Sequence, residues 1–404
     1  MKKLFLVIFI LFFAPFLGFS QEESESAKTV FIETIEISGL KKTKESYVQN
    51  ILKKYIGKDS SKLELKNVET DLQAEGIFSE VNATVQEKTL VVQVKEKITF
   101  LPLPFASYSS DGLMGGFMLM NMNAFGKKNN IIAGGVVKKN MYNGMVMFSK
   151  PAVDISHPGI STFFSVVYKE NDITDFYKDT VYEADSFMIR GSLTLEEKIS
   201  SFFKLSLDSS YSLANIWDHD EDPVVNMWLF GAKLSFSDVN WNGWYLLSNS
   251  LNLRSSIGFD YDGNFIQEYY AGGELNIPFV PRLRGVLKAA GTMNFNKNIL
   301  FQATRGDVGS TILYSKFRTE RIAASSFMLE GSIFKKKVAT VAVYGSYECA
   351  VAKDADDSAV FAHGPGAGLR VYMQQVAFPA VVVGASYNIP LNAWQYVISI
   401  GVNM

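Results

Sequence analysis

The stretch Trp394-Gln-Tyr-Val-Ile-Ser-Ile-Gly-Val-Asn-Met404 alternates between two kinds of side chain. Its even-numbered positions are apolar, whereas its odd-numbered positions are mostly small or polar. Because side chains alternate across a β-strand, this pattern predicts a strand with one apolar face and one wetter face. A tilted strand of about ten residues is long enough to cross a bilayer. The stretch therefore predicts a strand of a transmembrane β-barrel.

The same alternation recurs along the chain from residue 113 to residue 404. Residues 186–195, 203–208 and 340–348 each place apolar side chains on one face and charged or hydroxyl-bearing side chains on the other. Charges would be unfavourable in lipid, so the second face is expected to look into a lumen. About 15 such segments are recognisable between residues 103 and 404, and single-chain bacterial barrels have even strand numbers. We therefore predict a mostly β chain with a 16-stranded antiparallel transmembrane barrel over residues 113–404; a soluble all-β protein is the alternative.

The N-terminal residues have the composition of a secretion signal. Lys2 and Lys3 precede an apolar run, and small residues stand just before Gln21. We expect residues 1–20 to be a signal peptide and residues 21–29 a flexible lead, with an uncleaved anchor helix as the alternative. No other run of 18 apolar residues exists, so β-strands are expected to make any membrane crossing.

Composition argues against several classes of function. A net charge of −2 gives no basic field for nucleic acid. The three histidines are far apart, the lone Cys349 forms no thiolate cluster, and neither a nucleophile elbow nor a phosphate-binding loop is present. We therefore expect a protein that is not an enzyme and needs no cofactor or metal.

Residues 30–97 read as a compact α/β module in the order β-α-α-β-β. One alternating segment precedes two stretches with helical spacing of apolar residues, and two alternating segments follow them. Gly39 and Gly76 are candidate turn residues after a strand and a helix, and Phe78 and Val81 are candidate core residues. Pro102, Pro104 and Gly112 then predict a hinge over residues 98–112.

The module resembles a POTRA domain. The resemblance rests on Ile35-x-Ile37-x-Gly39 and on Gly76-x-Phe78-x-x-Val81, and it covers nearly all of residues 30–97. It implies a periplasmic module that receives client chains by adding them to a sheet edge, either Phe31–Ile37 or Phe78–Gln86. A rigid spacer is the alternative.

Module and barrel together resemble the BamA/TamA superfamily of outer-membrane proteins. The motifs that carry the resemblance are Gly115-Gly116 followed by Asn123-Ala-Phe-Gly126, then Phe317-Arg-Thr-Glu-Arg321 with Glu330, then Gly364-Pro-Gly-Ala-Gly-Leu-Arg370, and the C-terminal strand. The resemblance implies a localisation in the bacterial outer membrane, with the POTRA domain in the periplasm.

The same resemblance implies a loop that folds into the barrel with an arginine-glycine-aromatic tip. Here Arg305 and Gly306 supply the first two residues without the aromatic, and the alternative tip Gly309–Ile312 has no arginine. Arg318 and Arg321 are further candidates for the lumen arginine, and Glu330 is the expected carboxylate partner.

The functional expectation is assembly or translocation of other proteins. POTRA edge strands would pair with client chains, and a weak barrel seam would open between the strand near 113–122 and the last strand. Candidate seam residues share positions on or near those strands: Gly115, Gly116, Asn123, Gly384, Trp394, Gly401 and Met404. Expected partners are outer-membrane lipid and unfolded clients or other assembly subunits, with no nucleic acid. A two-partner-type secretion transporter and a structural or adhesive surface barrel remain alternatives.

Overall fold

The computed structural model describes residues 30–109, 112–152, 157–217, 224–241, 246–336, 338–373, 375 and 381–400. The expected signal peptide and lead, together with Gly401 and Met404, lie outside these residues. Within the described part of the chain, no helix has both the length and the apolarity needed to span a membrane.

The N-terminal unit is a small α/β module. Its elements are β1 (Thr34–Ser38), α1 (Glu45–Leu52), α2 (Leu65–Ala74), β2 (Phe78–Gln86) and β3 (Thr89–Glu96), with single 3-10 turns at Lys53–Tyr55 and Ser60–Lys62. The sheet order is β1-β3-β2, with β1 parallel and β2 antiparallel to β3. The chain order is thus β-α-α-β-β.

The apolar faces of both helices pack on this small sheet. Val48 and Leu52 of α1 meet Leu72 of α2 in one buried cluster, to which β2 contributes Phe78 and Val81. Burying each such side chain stabilises the fold by about 1.5–3 kcal/mol. Two turns depend on glycine, because the φ angles are 87° at Gly39 and 76° at Gly76. A Cβ at Gly39 would also lie 2.0 Å from the carbonyl oxygen of Val94.

The second unit is one large sheet. Its strands are β4 (Phe100–Ser109), β5 (Gly112–Ala124), β6 (Asn129–Lys138), β7 (Met141–Lys150), β8 (Gly159–Thr174), β9 (Thr180–Lys198), β10 (Phe203–Trp217), β11 (Val224–Trp241), β12 (Leu246–Asp260), β13 (Phe265–Val280), β14 (Leu283–Phe295), β15 (Arg321–Lys335), β16 (Ala339–Lys353), β17 (Ala359–Met373), β18 (Val381–Asn388) and β19 (Ala393–Ile400). Each strand pairs with the next along the chain, and the pairings are antiparallel. The predicted 16-stranded antiparallel sheet is confirmed.

The expected hinge at 98–112 is wrong. Residues 100–109 form β4, which pairs along its whole length with β5. The prolines that suggested a hinge are tolerated because β4 is the first strand of the sheet, and an edge strand has a free side on which no N–H is required.

The two faces of the sheet differ in polarity as the sequence predicted. In β10 and its neighbour β11, Leu207, Phe230 and Trp228 are exposed on the outer face, whereas Lys233 and Asp208 line the interior. In β19, Trp394, Tyr396 and Ile398 are exposed on the outer face, and Gln395 is buried on the other. An apolar exterior around a polar interior is the arrangement of a barrel in lipid.

Candidate functional site

A seam lies between the first and last strands of the sheet. The hydrogen-bonded order runs from β19 to β4, and these two terminal strands lie side by side. Over the residues that the structure describes, no backbone ladder joins them. Over these residues the barrel is therefore least strongly closed between β19 and β4.

Two prolines face this seam. The carbonyl of Thr99 accepts a hydrogen bond from the backbone N–H of Met122 on β5 (2.9 Å), whereas the N–H of Ile98 points the other way, to the carbonyl of Gln375 (2.9 Å). Because backbone groups alternate sides along a strand, Pro102 and Pro104 turn their nitrogens toward β19. A proline nitrogen carries no hydrogen, so β4 lacks two of the donors that a closing ladder would need.

The expected position of the seam needs one correction. Gly115 and Gly116 lie on β5, the second strand, and pair with Ala106 and Phe105 of β4. The first strand was missed because its prolines resembled a hinge. Gly384 lies on β18, opposite Val397 of the last strand, and Trp394, the second residue of β19, is opposite Tyr387.

The module is joined to the seam strand without slack. The backbone N–H of Lys97 donates to the carbonyl of Ile77 in the module (2.8 Å), and the next residue, Ile98, donates to Gln375 between β17 and β18. Burial holds the pKa of Lys97 below its usual value. One peptide bond thus separates a residue fixed to the module from one fixed to the barrel.

The module also docks on the turn between β5 and β6. Asn123, expected at the seam, instead donates from Nδ2 to Oγ1 of buried Thr43 (2.8 Å). The backbone N–H of Lys44 donates to the carbonyl of Gly126 (2.8 Å). A Cβ at Gly126 would lie 2.3 Å from the carbonyl of Lys42, so only glycine permits this approach.

A partly buried ion pair completes the docking. Lys128 Nζ lies 2.6 Å from Glu75 Oε2, and the hydroxyl of Tyr47 donates to the same oxygen at 2.5 Å. Burial alone would raise the pKa of Glu75, but Lys128 and Tyr47 outweigh it and hold that pKa below its usual value. The carboxylate therefore stays ionised and links α2 to the barrel.

Glu96, the last residue of β3, stabilises the loop that carries Thr43. Its carboxylate accepts the backbone N–H groups of Lys41 (3.1 Å), Lys42 (3.0 Å) and Thr43 (2.8 Å). Partial burial opposes ionisation, but these hydrogen bonds outweigh it and lower the pKa of Glu96. The docking loop is thus ordered by a charge-assisted contact.

The segment between β14 and β15 folds into the lumen, as the sequence led us to expect. Asn294 Nδ2 donates to the carbonyl of Phe301 (2.8 Å), and Asn388 Nδ2 of β18 donates to that of Ile312 (3.0 Å). Two 3-10 turns, Ile299–Phe301 and Arg305–Val308, shape the segment. Its side chains Phe317 and Ile312 are buried against the interior wall.

The alternative tip, Gly309–Ile312, contacts β16 of the wall. Glu348 of β16 accepts the hydroxyl of Ser310 (2.5 Å), the hydroxyl of Thr311 (2.7 Å) and the backbone N–H of Thr311 (3.0 Å). Two hydroxyls and one N–H thus approach the carboxylate.

The arginines expected in the lumen take different places. Arg305 donates from Nη1 to the carbonyl of Leu313 (2.8 Å), which ties the loop to itself, and Gly306 is exposed beside it. Arg318 donates to the carbonyls of Ser315 (3.0 Å) and Phe317 (3.3 Å) and lines the interior.

Arg321 contradicts the expectation of a lumen residue. It starts β15 on the outer face, where it is exposed and lies over the ring of Phe295, 5.3 Å from the centroid. Its position is paired with Met293, an exposed outer-face residue. The alternation of the strand therefore turns it away from Glu330.

Glu330 has two arginine partners that sequence reasoning missed. It is completely buried, with Arg370 Nη1 at 2.9 Å and Arg284 Nη2 at 3.2 Å from Oε2. Tyr372 donates its hydroxyl to Oε1, and Arg284 Nη1 donates to Asn276 Oδ1 (2.9 Å). The network joins four strands, β13, β14, β15 and β17. Of the two arginines, only Arg370 belongs to a motif recognisable in the sequence, Gly364–Arg370.

Gly384 leaves space for an aromatic side chain in this part of the wall. A Cβ there would lie 2.1 Å from the hydroxyl of Tyr344, and one at Gly368 would lie 2.6 Å from it. The ring of Tyr344 in turn lies 5.2 Å below the guanidinium of Arg370. The interior glycines therefore make room for a cation–π pair.

A cavity of about 930 Å³ occupies the lumen beside the loop. Charged side chains from β9–β13 and the loop contribute to its lining, including Arg190, Lys233, Arg254, Glu268 and Arg318. Among the described residues, no cluster of His, Cys, Asp and Glu has the geometry of a metal site.

Similar folds occur among solved structures. BamA from Haemophilus ducreyi lacking POTRA domains 1–3 has a TM-score of 0.56 and 12% identity, over 93% of this chain and 85% of that chain. CdiB from Acinetobacter baumannii has a TM-score of 0.59 and 11% identity, over 93% and 74%. CdiB from Escherichia coli has a TM-score of 0.51 and 12% identity, over 96% and 91%. The chain therefore has the fold of the BamA and CdiB barrels.

No protein-family model and no curated protein matches the chain.

Proposed function

We propose that this protein is a barrel of the bacterial outer membrane that assembles or translocates other proteins through an opening seam. One observation carries the proposal: β4 presents Pro102 and Pro104 to β19, so the seam lacks two N–H donors. Each net hydrogen bond is worth about 0.5–1.5 kcal/mol, so the deficit is roughly 1–3 kcal/mol. A seam weakened by that amount separates more readily than any fully paired ladder of the sheet.

The module supports the same function. We infer that it is a periplasmic POTRA domain that hands client strands to the seam. Its two sheet edges differ, because Glu69 of α2 accepts the backbone N–H of Ala83 (3.1 Å) at the edge of β2. The edge of β1, Thr34–Ser38, is therefore the better acceptor for an added strand.

The test restores the missing donors. Valine at both positions (Pro102→Val with Pro104→Val) supplies two N–H groups with high strand propensity. The matched control is Phe117→Val with Leu119→Val, two outer-face positions of β5 whose N–H groups already face β6. In the native host depleted of the wild-type protein, we expect the proline variant to lose client assembly while the control retains it.

A direct measurement shows whether the seam has closed. Hydrogen exchange at residues 102 and 104 of the proline variant should become slow if the new N–H groups pair with β19. Unchanged levels of every other outer-membrane barrel, together with unchanged secretion, after depletion of the wild-type protein would refute the proposed function.

A second candidate is export of one dedicated exoprotein. The lumen cavity gives such a chain a polar path. Depletion distinguishes the two candidates. An insertase lowers many barrel proteins at once, whereas a transporter leaves them unchanged and retains a single exoprotein in the periplasm.

A further inference from the structure

Methionines are concentrated in one short part of the barrel. Of the chain's 14 methionines, seven fall between residues 114 and 147. All seven lie on two strands: Met114, Met118, Met120 and Met122 on β5, and Met141, Met145 and Met147 on β7. Met122 lies at the register shift near the end of β5, and the other six occupy the regular parts of the two ladders. Of the other seven methionines of the chain, five lie singly on β9, β11, β14, β15 and β17.

The six side chains share the lumen face. Residues directly opposite each other in a ladder point to the same side of the sheet. Met147 is opposite Phe163, and Phe163 lines the lumen cavity. On the same strands the alternate positions Phe117 and Val146 are about half exposed on the outer face.

The methionines form two rows that approach each other across three strands. Gly134 of β6 lies between Met118 on one side and Met145 on the other. A Cβ at Gly134 would lie 2.8 Å from Cγ of Met118, so the Met118 side chain already lies across the glycine. Gly134 thus leaves the space in which the two methionine rows approach each other.

Apolar neighbours extend this surface to the seam. Leu101 and Leu103 of β4 are opposite Met120 and Met118, and Ile132 of β6 is opposite both Met120 and Met147. We name the apolar lumen-facing residues of these strands the methionine wall: Leu101, Leu103, Met114, Met118, Met120, Ile132, Val136, Met141, Met145 and Met147. Two polar residues share this face: Asn143 lies opposite Val136, and Lys138 lies at the margin between Met114 and Met141. In contrast, the wall formed by β9–β13 carries Arg190, Arg254 and Glu268.

An apolar wall inside a barrel requires an explanation. Barrel interiors are polar because they hold water, and a contiguous apolar patch on a wetted surface marks an interaction site. Methionine is unbranched and polarisable, so a methionine surface adapts its shape to many apolar partners. Both properties suit a surface that meets different side chains in succession.

We propose that the methionine wall binds an extended apolar segment of a client polypeptide as it enters the seam. The inference rests on the proposed function and adds the site and its ligand class. The methionine wall is continuous with the seam, because β4 is the edge strand of the seam and also carries Leu101 and Leu103 of the wall. A client chain that enters the seam therefore meets the wall directly. A strand of alternating polarity placed there would turn its apolar side to the methionines and its polar side to the charged wall.

Binding is measured with a defined probe, a fluorescent peptide with the sequence of residues 394–404, added to the full-length protein in detergent micelles. The test variant combines Met118→Gln, Met145→Gln and Met147→Gln, which keeps side-chain length but adds polar groups. The matched control combines Met118→Leu, Met145→Leu and Met147→Leu. We expect the Gln variant to weaken peptide binding roughly tenfold or more and the Leu variant to change it less than about twofold.

A second measurement uses the unaltered protein, so it does not depend on the folding of a variant. A photoreactive group at position 398 of the peptide should cross-link to β5 or β7. Cross-links only to the module or the outer surface overturn the proposal, as does wild-type affinity in the Gln variant. Equal loss in the Leu and Gln variants also overturns it, because thioether sulfur, as in a site for a soft metal ion, would then be what matters.

The depleted host separates the two proposals. If the Gln variant supports normal client assembly while the variant of Pro102 and Pro104 does not, the methionine wall fails and the proposed function stands. If the peptide binds the wall but depletion changes no client, the proposed function fails.

Discussion

Glu330 is the residue whose loss should affect the barrel most. It has no exposed surface, and it neutralises parts of two guanidinium groups from different strands, Arg284 and Arg370. The change Glu330→Ala removes the carboxylate that lies within ion-pair distance of both arginines. Both buried guanidinium groups would then lose this shared counter-charge.

The expected loss follows from that burial. Breaking a buried ion pair by removing one partner costs about 3–5 kcal/mol, because the remaining charge is left uncompensated. The contact of Tyr372 with Glu330 is lost as well, and an unsatisfied buried hydroxyl adds to the loss. We therefore expect Glu330→Ala to lower the free energy of unfolding by about 3–5 kcal/mol.

The assay is urea unfolding of the protein in lipid vesicles, followed by tryptophan fluorescence and by heat-modifiable gel migration. The control is Glu320→Ala, whose partner Lys353 lies 2.9 Å away in a pair that is about one third exposed. Such pairs contribute about 0–1 kcal/mol. The reasoning is refuted if both variants unfold at the same urea concentration. It predicts further that Arg284→Met, Glu330→Leu and Arg370→Met together recover most of the loss.

Three further changes test the module, the loop and the glycine-lined wall. The pKa of Glu75 is lowered in the docked state, so its contribution to stability is fully present above the ordinary glutamate pKa of about 4.3 and is lost as the pH falls through the lowered value. Thermal melting from pH 7 to pH 3 should show this loss of stability, and Glu75→Gln should flatten that part of the pH profile. Glu348→Ala leaves the hydroxyls of Ser310 and Thr311 without their acceptor, at a cost of roughly 1–3 kcal/mol; limited proteolysis should then cut the loop between β14 and β15 faster, and equal cleavage rates would argue against the anchor. Gly384→Ala forces the Tyr344 hydroxyl to move and should destabilise the barrel by about 1–3 kcal/mol; adding Tyr344→Phe should restore part of the loss, and no restoration would show that the clash lies elsewhere.

Alternation along single strands was sufficient to predict the sheet. Each strand reports its own two faces, so the pattern at 394–404 and its repeats led to 16 antiparallel strands without any long-range information. The same reasoning failed at β4. Prolines in a segment considered alone suggest a hinge, whereas prolines in a segment that pairs on one side only are compatible with an edge strand. Only the neighbour β5 decides between the two.

The lumen was harder to predict because its contacts join distant parts of the chain. Arg284 and Arg370 lie 46 and 40 residues from Glu330, so no local spacing links them. Arg321 was expected in the lumen because it is close to Glu330 in sequence. Successive residues of a strand face opposite sides of the sheet, however, and Arg321 falls on the outer face. The sequence does not decide whether Arg305–Gly306 or Gly309–Ile312 forms the loop tip, because the choice depends on Glu348, which lies on a distant strand of the wall.

The rigid connection at Lys97 and Ile98 limits how the protein can use its module. A flexible tether would let the module search a wide volume, whereas four residues from Glu96 to Phe100 span at most about 14 Å. Any rotation of the module must therefore be transmitted as a twist or a pull to β4, which holds Pro102 and Pro104. Client capture at β1 and separation of the seam would then be mechanically one event, and lengthening this connection by a few glycines should uncouple them.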